Sequence, residues 1–161
     1  MKVELNDATL GSVHSLSVGA SRDDVAPLIT QIALKREGDS LRAMSTDRYV
    51  CLTGLYESVA FSDWDEGKEI LVDPKALKSV LDIKKKDKSN YNITTTTISS
   101  EGDIARSNMP DGTTINIGLP NVKGAFPPVM KLFPKGEPNG SGSLNIRPDF
   151  IAKLAKVLPP V

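Results

Sequence analysis

The sequence predicts an α+β fold, and three observations carry that prediction. Two strand-like runs flank Glu37-Gly38-Asp39, a tight-turn composition between apolar-rich segments. Two stretches carry apolar residues at helical spacing: Leu10, Val13 and Leu16 in one, Leu77, Val80, Leu81 and Ile83 in the other. Several short runs rich in Val, Ile and Thr, residue types favoured in strands, separate and follow them.

Taken in chain order, Lys2 to Leu5 alternates polar and apolar residues, as a short strand does. Asp7 is a candidate cap for a helix over residues 8–18, weakened by Gly11 and by the serines and threonines in and near it. Residues 28–36, 40–45 and 49–57 read as three strands. Ile29, Ile32 and Leu34 do not alternate cleanly, which points to a bulge or to burial on both faces. Residues 68–72 form a further strand, and Asp73-Pro74 opens a second helix with an Asp cap and Pro at its first position. Residues 91–99, 103–107 and 113–117 read as strands, the second reached through a Glu101-Gly102 turn.

At 161 residues the chain is about the size of one domain with room for a core. Its 20 basic and 20 acidic residues cancel, so only local charge can speak for a polyanionic partner. A single cysteine, Cys51, excludes an internal disulfide framework and a cysteine-rich zinc site, and fits a reducing, cytoplasmic setting. The N-terminus has no apolar signal region, and no run approaches the ~18 apolar residues of a membrane span.

The texture changes after Phe133. Residues 135–143 are a linker by composition, rich in Gly, Pro and Ser. Beyond it, residues 144–146 read as a strand, and Arg147-Pro148-Asp149 leads a helix carrying Phe150, Ile151, Leu154, Val157 and Leu158. Strand, Asp, helix is also how the chain begins, so residues 1–134 read as one domain and 144–161 as the opening of a second copy. One strand and one helix cannot bury a core alone, so the chain is expected to be a piece of a longer protein.

The segment from Pro27 to Leu55, with its hairpin, its Ser45-Thr46-Asp47-Arg48-Tyr49 turn and a following strand, resembles the sliding clamps of the bacterial DNA polymerase III β type. Phe126-Pro127-Pro128-Val129-Met130-Lys131-Leu132-Phe133-Pro134 resembles the same family's passage into its next domain. The order of elements over most of the chain is similar to that of a clamp domain. The resemblance implies antiparallel sheets outside and two helices lining an inner face, with six such domains closing a ring. The implied function is that of a DNA polymerase processivity factor, bacterial or phage-encoded. Such a ring encircles double-stranded DNA without sequence specificity, as a homo-oligomer. It recruits polymerase and clamp loader through short peptide motifs, and it needs no catalysis, metal or cofactor.

Sliding requires phosphate contacts without base reading, hence mobile cations. The second helix and its end offer Lys75, Lys78, Lys84, Lys85, Lys86 and Lys88, and the third offers Lys153 and Lys156 with Arg147. Lysines on amphipathic helices are equally what a solvated face carries; the resemblance, which puts these helices on the inner wall, raises the DNA-facing reading. The first helix departs from the family, offering only His14, with Arg22 beyond it. The family's partner pocket, carried over by motif, gives Ile29, Thr46, Arg48, Tyr49, Val50, Cys51, Pro127, Lys131 and Leu132. Where the family has glycine this chain has Arg48, and where it has arginine this chain has Val50, changes expected to narrow or close the pocket. Asp47 reads as a turn former.

Other chemistry finds little footing. His14 and Cys51 lack a third element for nucleophilic catalysis. Asp63, Asp65 and Glu66 around Trp64 match no cation-binding loop spacing, and residues 136–142 lack the Gly-Lys-Ser/Thr ending of a phosphate loop. The rival functions are a clamp-like binding or regulatory module that never encircles DNA, and a phage accessory or structural protein.

Overall fold

The computed structural model describes residues 1–86, 95–100, 104–108, 112–119, 122–133 and 146–158. The expected linker 135–143, Lys88 and the start of the expected strand at 144–146 lie outside them, as does the Lys86 side chain.

Nine strands and three α-helices follow one another in the described residues. They are β1 (Lys2–Asn6), α1 (Asp7–Ser15), β2 (Ile32–Glu37), β3 (Ser40–Thr46), β4 (Cys51–Tyr56), β5 (Ala60–Ser62), β6 (Glu69–Val72), α2 (Pro74–Lys86), β7 (Thr95–Ser99), β8 (Ile104–Asn108), β9 (Thr114–Gly118) and α3 (Pro148–Ala155). All pairing is antiparallel. Sheet A runs β5-β1-β7-β8-β9 and sheet B runs β4-β3-β2-β6. Helices α1 and α2 pack side by side.

The β2–β3 hairpin closes through a two-residue loop, with Glu37 paired to Ser40 and Gly38 at φ 60°, the left-handed value such a turn requires. The acidic loop fastens this turn: the Glu66 carboxylate accepts from the Gly38 N–H at 3.0 and 3.1 Å, and Asp65 pairs with Lys68 at 3.1 Å. Trp64 is buried, donates its indole N–H to the Lys68 carbonyl at 2.9 Å and meets the Phe61 ring edge-on. Glu66 and Asp65 are thus engaged within the fold.

The main core lies between sheets and helices. Val3, Leu5 and Ile98 of sheet A and Ile32, Leu34, Leu41 and Val72 of sheet B meet Leu10, Val13, Leu77 and Val80 of α1 and α2. Sheet B is buried on its other face as well. Ala33 and Met44 form a second cluster with Phe126 and Val129 of the segment that follows β9. This explains the imperfect alternation of residues 32–34: no bulge is needed, because successive side chains enter different cores. The Phe126 N–H donates to Glu69 Oε1 at 2.7 Å and pins the covering segment to β6.

Several boundaries differ from expectation. Asn6, not Asp7, caps α1, its Oδ1 accepting from the Thr9 N–H at 2.8 Å. The helix stops at Ser15 and tightens into a 3-10 turn over Leu16–Gly19. There the chain presses on β3: Ser45 Oγ donates to the Leu16 carbonyl at 2.6 Å, and a methyl on Gly19 would lie 2.6 Å from that hydroxyl and 2.9 Å from Leu52. Residues 27–30 form a 3-10 turn instead of the first part of a strand, because Pro27 fixes a helical φ and a local chain reversal must precede β2. Strand β5 had no periodic signal in its three residues. Ile146 lies outside any strand, and Arg147 stands at the N-cap of α3.

Candidate partner pocket and basic surfaces

The turn between β3 and β4 is built by two adjacent side chains. Thr46 Oγ1 donates to the Val50 carbonyl at 2.7 Å and accepts from the Arg48 N–H at 3.1 Å. Asp47 Oδ1 accepts from the N–H groups of Tyr49 and Val50 at 3.0 and 2.8 Å. Arg48 is held at φ 78°, a conformation usually left to Gly or Asn, and the side-chain hydrogen bonds on both sides sustain it. With Thr46 and Asp47 turned onto the backbone of the loop, Tyr49 is left projecting, 82% exposed.

The segment covering sheet B ends in a 3-10 turn over Val129–Leu132 and brings Leu132 and Phe133 alongside this loop. Together Thr46, Arg48, Tyr49, Val50, Cys51, Leu132 and Phe133 surround an open depression of about 340 Å³. Leu132 is 80% exposed there and, with Phe133 and Tyr49, gives the depression an exposed apolar rim. Six of the nine residues expected in the pocket meet at this place. The other three do not: Ile29 is buried in the 3-10 turn before β2, and Pro127 and Lys131 stand outside the lining. Phe133 was missed, though its position directly after Leu132 in an apolar-rich segment was a usable signal. Burial pushes the Cys51 thiol above its ordinary value, the wrong direction for a nucleophile.

Asp47 reaches beyond its own turn. Its Oδ2 pairs with Lys153 of α3, so one carboxylate serves the pocket loop and a helix 106 residues away. Burial alone would raise the Asp47 pKa, but hydrogen bonds from Lys153, Val50 and Tyr49 outweigh it and hold the carboxyl below its ordinary value. A second depression of about 650 Å³ lies here, lined by Arg22, Asp23, Asp47, Lys153, Lys156 and, on the side toward the first depression, the same Tyr49. A third of about 530 Å³ shares Arg22 with the second and extends to Lys75 at the start of α2. Gln31 lines it with a buried Oε1 that has no hydrogen-bond partner among the described residues.

The lysines of α2 divide. Lys75, Lys78 and Lys85 are exposed, Lys78 pairing with Asp82 one turn on. Lys84 corrects the expectation that it faces DNA: its side chain is only 8% exposed, it pairs with Asp7, and it donates to Thr96 Oγ1 at 2.9 Å. Lys84 is a strut between α2, α1 and sheet A. His14 of α1 lies within electrostatic reach of Lys78, Asp82 and Lys85 of α2. Burial and the Lys78 charge, with a smaller part from Lys85 and against Asp82, hold its imidazolium below the ordinary 6.5.

No helix among the described residues is long and apolar enough to cross a membrane. No family model matches the chain, and no curated protein does. Solved structures do match: a DNA polymerase III subunit beta from Pseudomonas aeruginosa, and a DnaN sliding clamp (DNA polymerase III subunit beta) from the same organism bound to griselimycin. Each is 24% identical over 91% of this chain with a TM-score of 0.50. The chain spans 35% of the length of those structures, about a third. At that level the likeness concerns architecture: paired antiparallel sheets over two packed helices are the fold of a sliding-clamp domain.

Proposed function

We propose that this chain is part of a DNA sliding clamp, a non-catalytic processivity factor that recruits partners through the depression at the β3–β4 turn. The observation that carries the reading is the convergence of the projecting Tyr49 with Leu132, Phe133, Val50 and Cys51 from two distant segments. An apolar hollow with two exposed anchors on its rim suits a short peptide with apolar side chains. The wall toward DNA is formed by the exposed cations Lys75, Lys78 and Lys85 of α2, which attract phosphates without reading bases. Domains of this kind close the ring, and residues 144–161 open a second one. A phage or bacterial replisome in the cytoplasm is the setting, and polymerase and clamp loader are the partners.

Titration of a labelled peptide of the Gln-Leu-x-Leu-Phe kind tests this. Binding in the micromolar range is expected, weakened by about thirtyfold or more in Tyr49→Ala with Leu132→Ala. Both residues are exposed, so the variant keeps its fold. Absence of binding near millimolar peptide, or unchanged binding in the variant, overturns the docking reading.

A further inference from the structure

We propose that the depression bounded by Arg22, Lys153 and Lys156 is a cationic subsite of the partner pocket, which takes up an acidic residue flanking the apolar anchors of a docked peptide. This rests on the docking reading above. Tyr49 forms a wall of both depressions, so a peptide leaving the apolar one past this ring enters the charged one.

The charges there favour a carboxylate. Lys153 and Asp47 neutralise each other, and Asp47 also accepts two backbone N–H groups. What remains is Arg22 and Lys156, both exposed, against Asp23, whose Oδ1 already accepts from the Val25 N–H at 3.0 Å. Among the described residues neither Arg22 nor Lys156 has an ion-pair partner. The guanidinium and the ammonium between them hold up to eight N–H donors and no acceptor, so the subsite is short of acceptors and positive in balance. A carboxylate supplies what is missing, whereas a lysine at the same place in the peptide is repelled. DNA phosphate would use the same donors. The aromatic wall and the continuity with an apolar hollow favour a peptide, whose backbone and side chains use both surfaces.

Three peptides with identical apolar anchors test the subsite: one uncharged, one with a glutamate pair before the anchors, one with the pair after them. One acidic peptide is expected to bind about fivefold tighter than the uncharged peptide at low salt, the size of an exposed ion pair. Arg22→Gln with Lys156→Gln is expected to abolish that preference and leave the affinity of the uncharged peptide unchanged. Equal affinity of all three peptides, or a preference that survives in the variant, overturns the subsite while the docking reading stands. Loss of all three, the uncharged peptide included, counts against both. A short DNA duplex titrated in parallel provides the remaining outcome. If the variant loses duplex binding but keeps the peptide preference, the two cations belong to a phosphate path and the proposal fails.

Discussion

Thr46 and Asp47 show how a turn can be built to display its neighbour. Each uses a short polar side chain to satisfy backbone groups of the loop, so Tyr49 has no structural task left and stands in solvent. His14 illustrates the opposite situation, a titratable side chain pressed between helices. Its folded form binds a proton less readily than the unfolded chain, whose histidine has the ordinary 6.5. Below that value the unfolded state takes up the proton first, and stability falls as pH drops. From about pH 7.5 to about pH 5.5, wild type is therefore expected to lose more stability than His14→Gln in urea titrations. Parallel losses in the two proteins would show that His14 carries no such linkage.

Helix α2 shows what a sequence can and cannot say about an element. Asp73-Pro74 announced its start, and the Asp73 carboxylate does accept from the Lys75 N–H at 2.8 Å. Leu77 and Val80 are fully buried, as their spacing required, whereas Ile83 faces outward. The lysines were less legible, because helical periodicity separates buried from exposed positions but not a free cation from a strut. Lys84 depends on Asp7 and Thr96, residues 77 and 12 positions away, and no local pattern encodes that meeting. Lys84→Met is expected to cost about 1–2 kcal/mol, chiefly by removing the ammonium donor to the buried Thr96 hydroxyl and breaking the Asp7 pair. Lys85→Met is expected to stay within about 0.5 kcal/mol. Equal denaturation midpoints would refute the strut. The depression at the β3–β4 turn was partly legible for a related reason. The Thr46-Asp47 motif locates its own turn, and the apolar run near Leu132 locates the facing wall, but Ile29 went astray because a proline-led 3-10 turn and the first turn of a strand look alike in sequence.

At the scale of the whole molecule, the two sheets differ in how their strands find one another. Sheet B contains a meander: β2, β3 and β4 pair in chain order, each joined to the next by a short turn. Sheet A is assembled around β1, whose register joins Lys2 to Ser62 on one side and to Ser99 on the other. Closing such distant pairs is entropically dear, while hairpins close early. Pulsed hydrogen exchange during refolding is expected to protect Ala33–Met44 pairs before the amides of Val3 and Leu5; protection of β1 at the same time as or ahead of β3 would contradict this order. A ribosome makes the asymmetry sharper, since synthesis is slow compared with hairpin formation. Val3 and Leu5 are synthesised about 90 residues ahead of Ile98 and Thr96, their partners in β7. Throughout that interval the nascent chain carries an unclaimed strand edge, open to pairing with another polypeptide. Of the strands in the two sheets, β1 is the one that waits longest for its last neighbour.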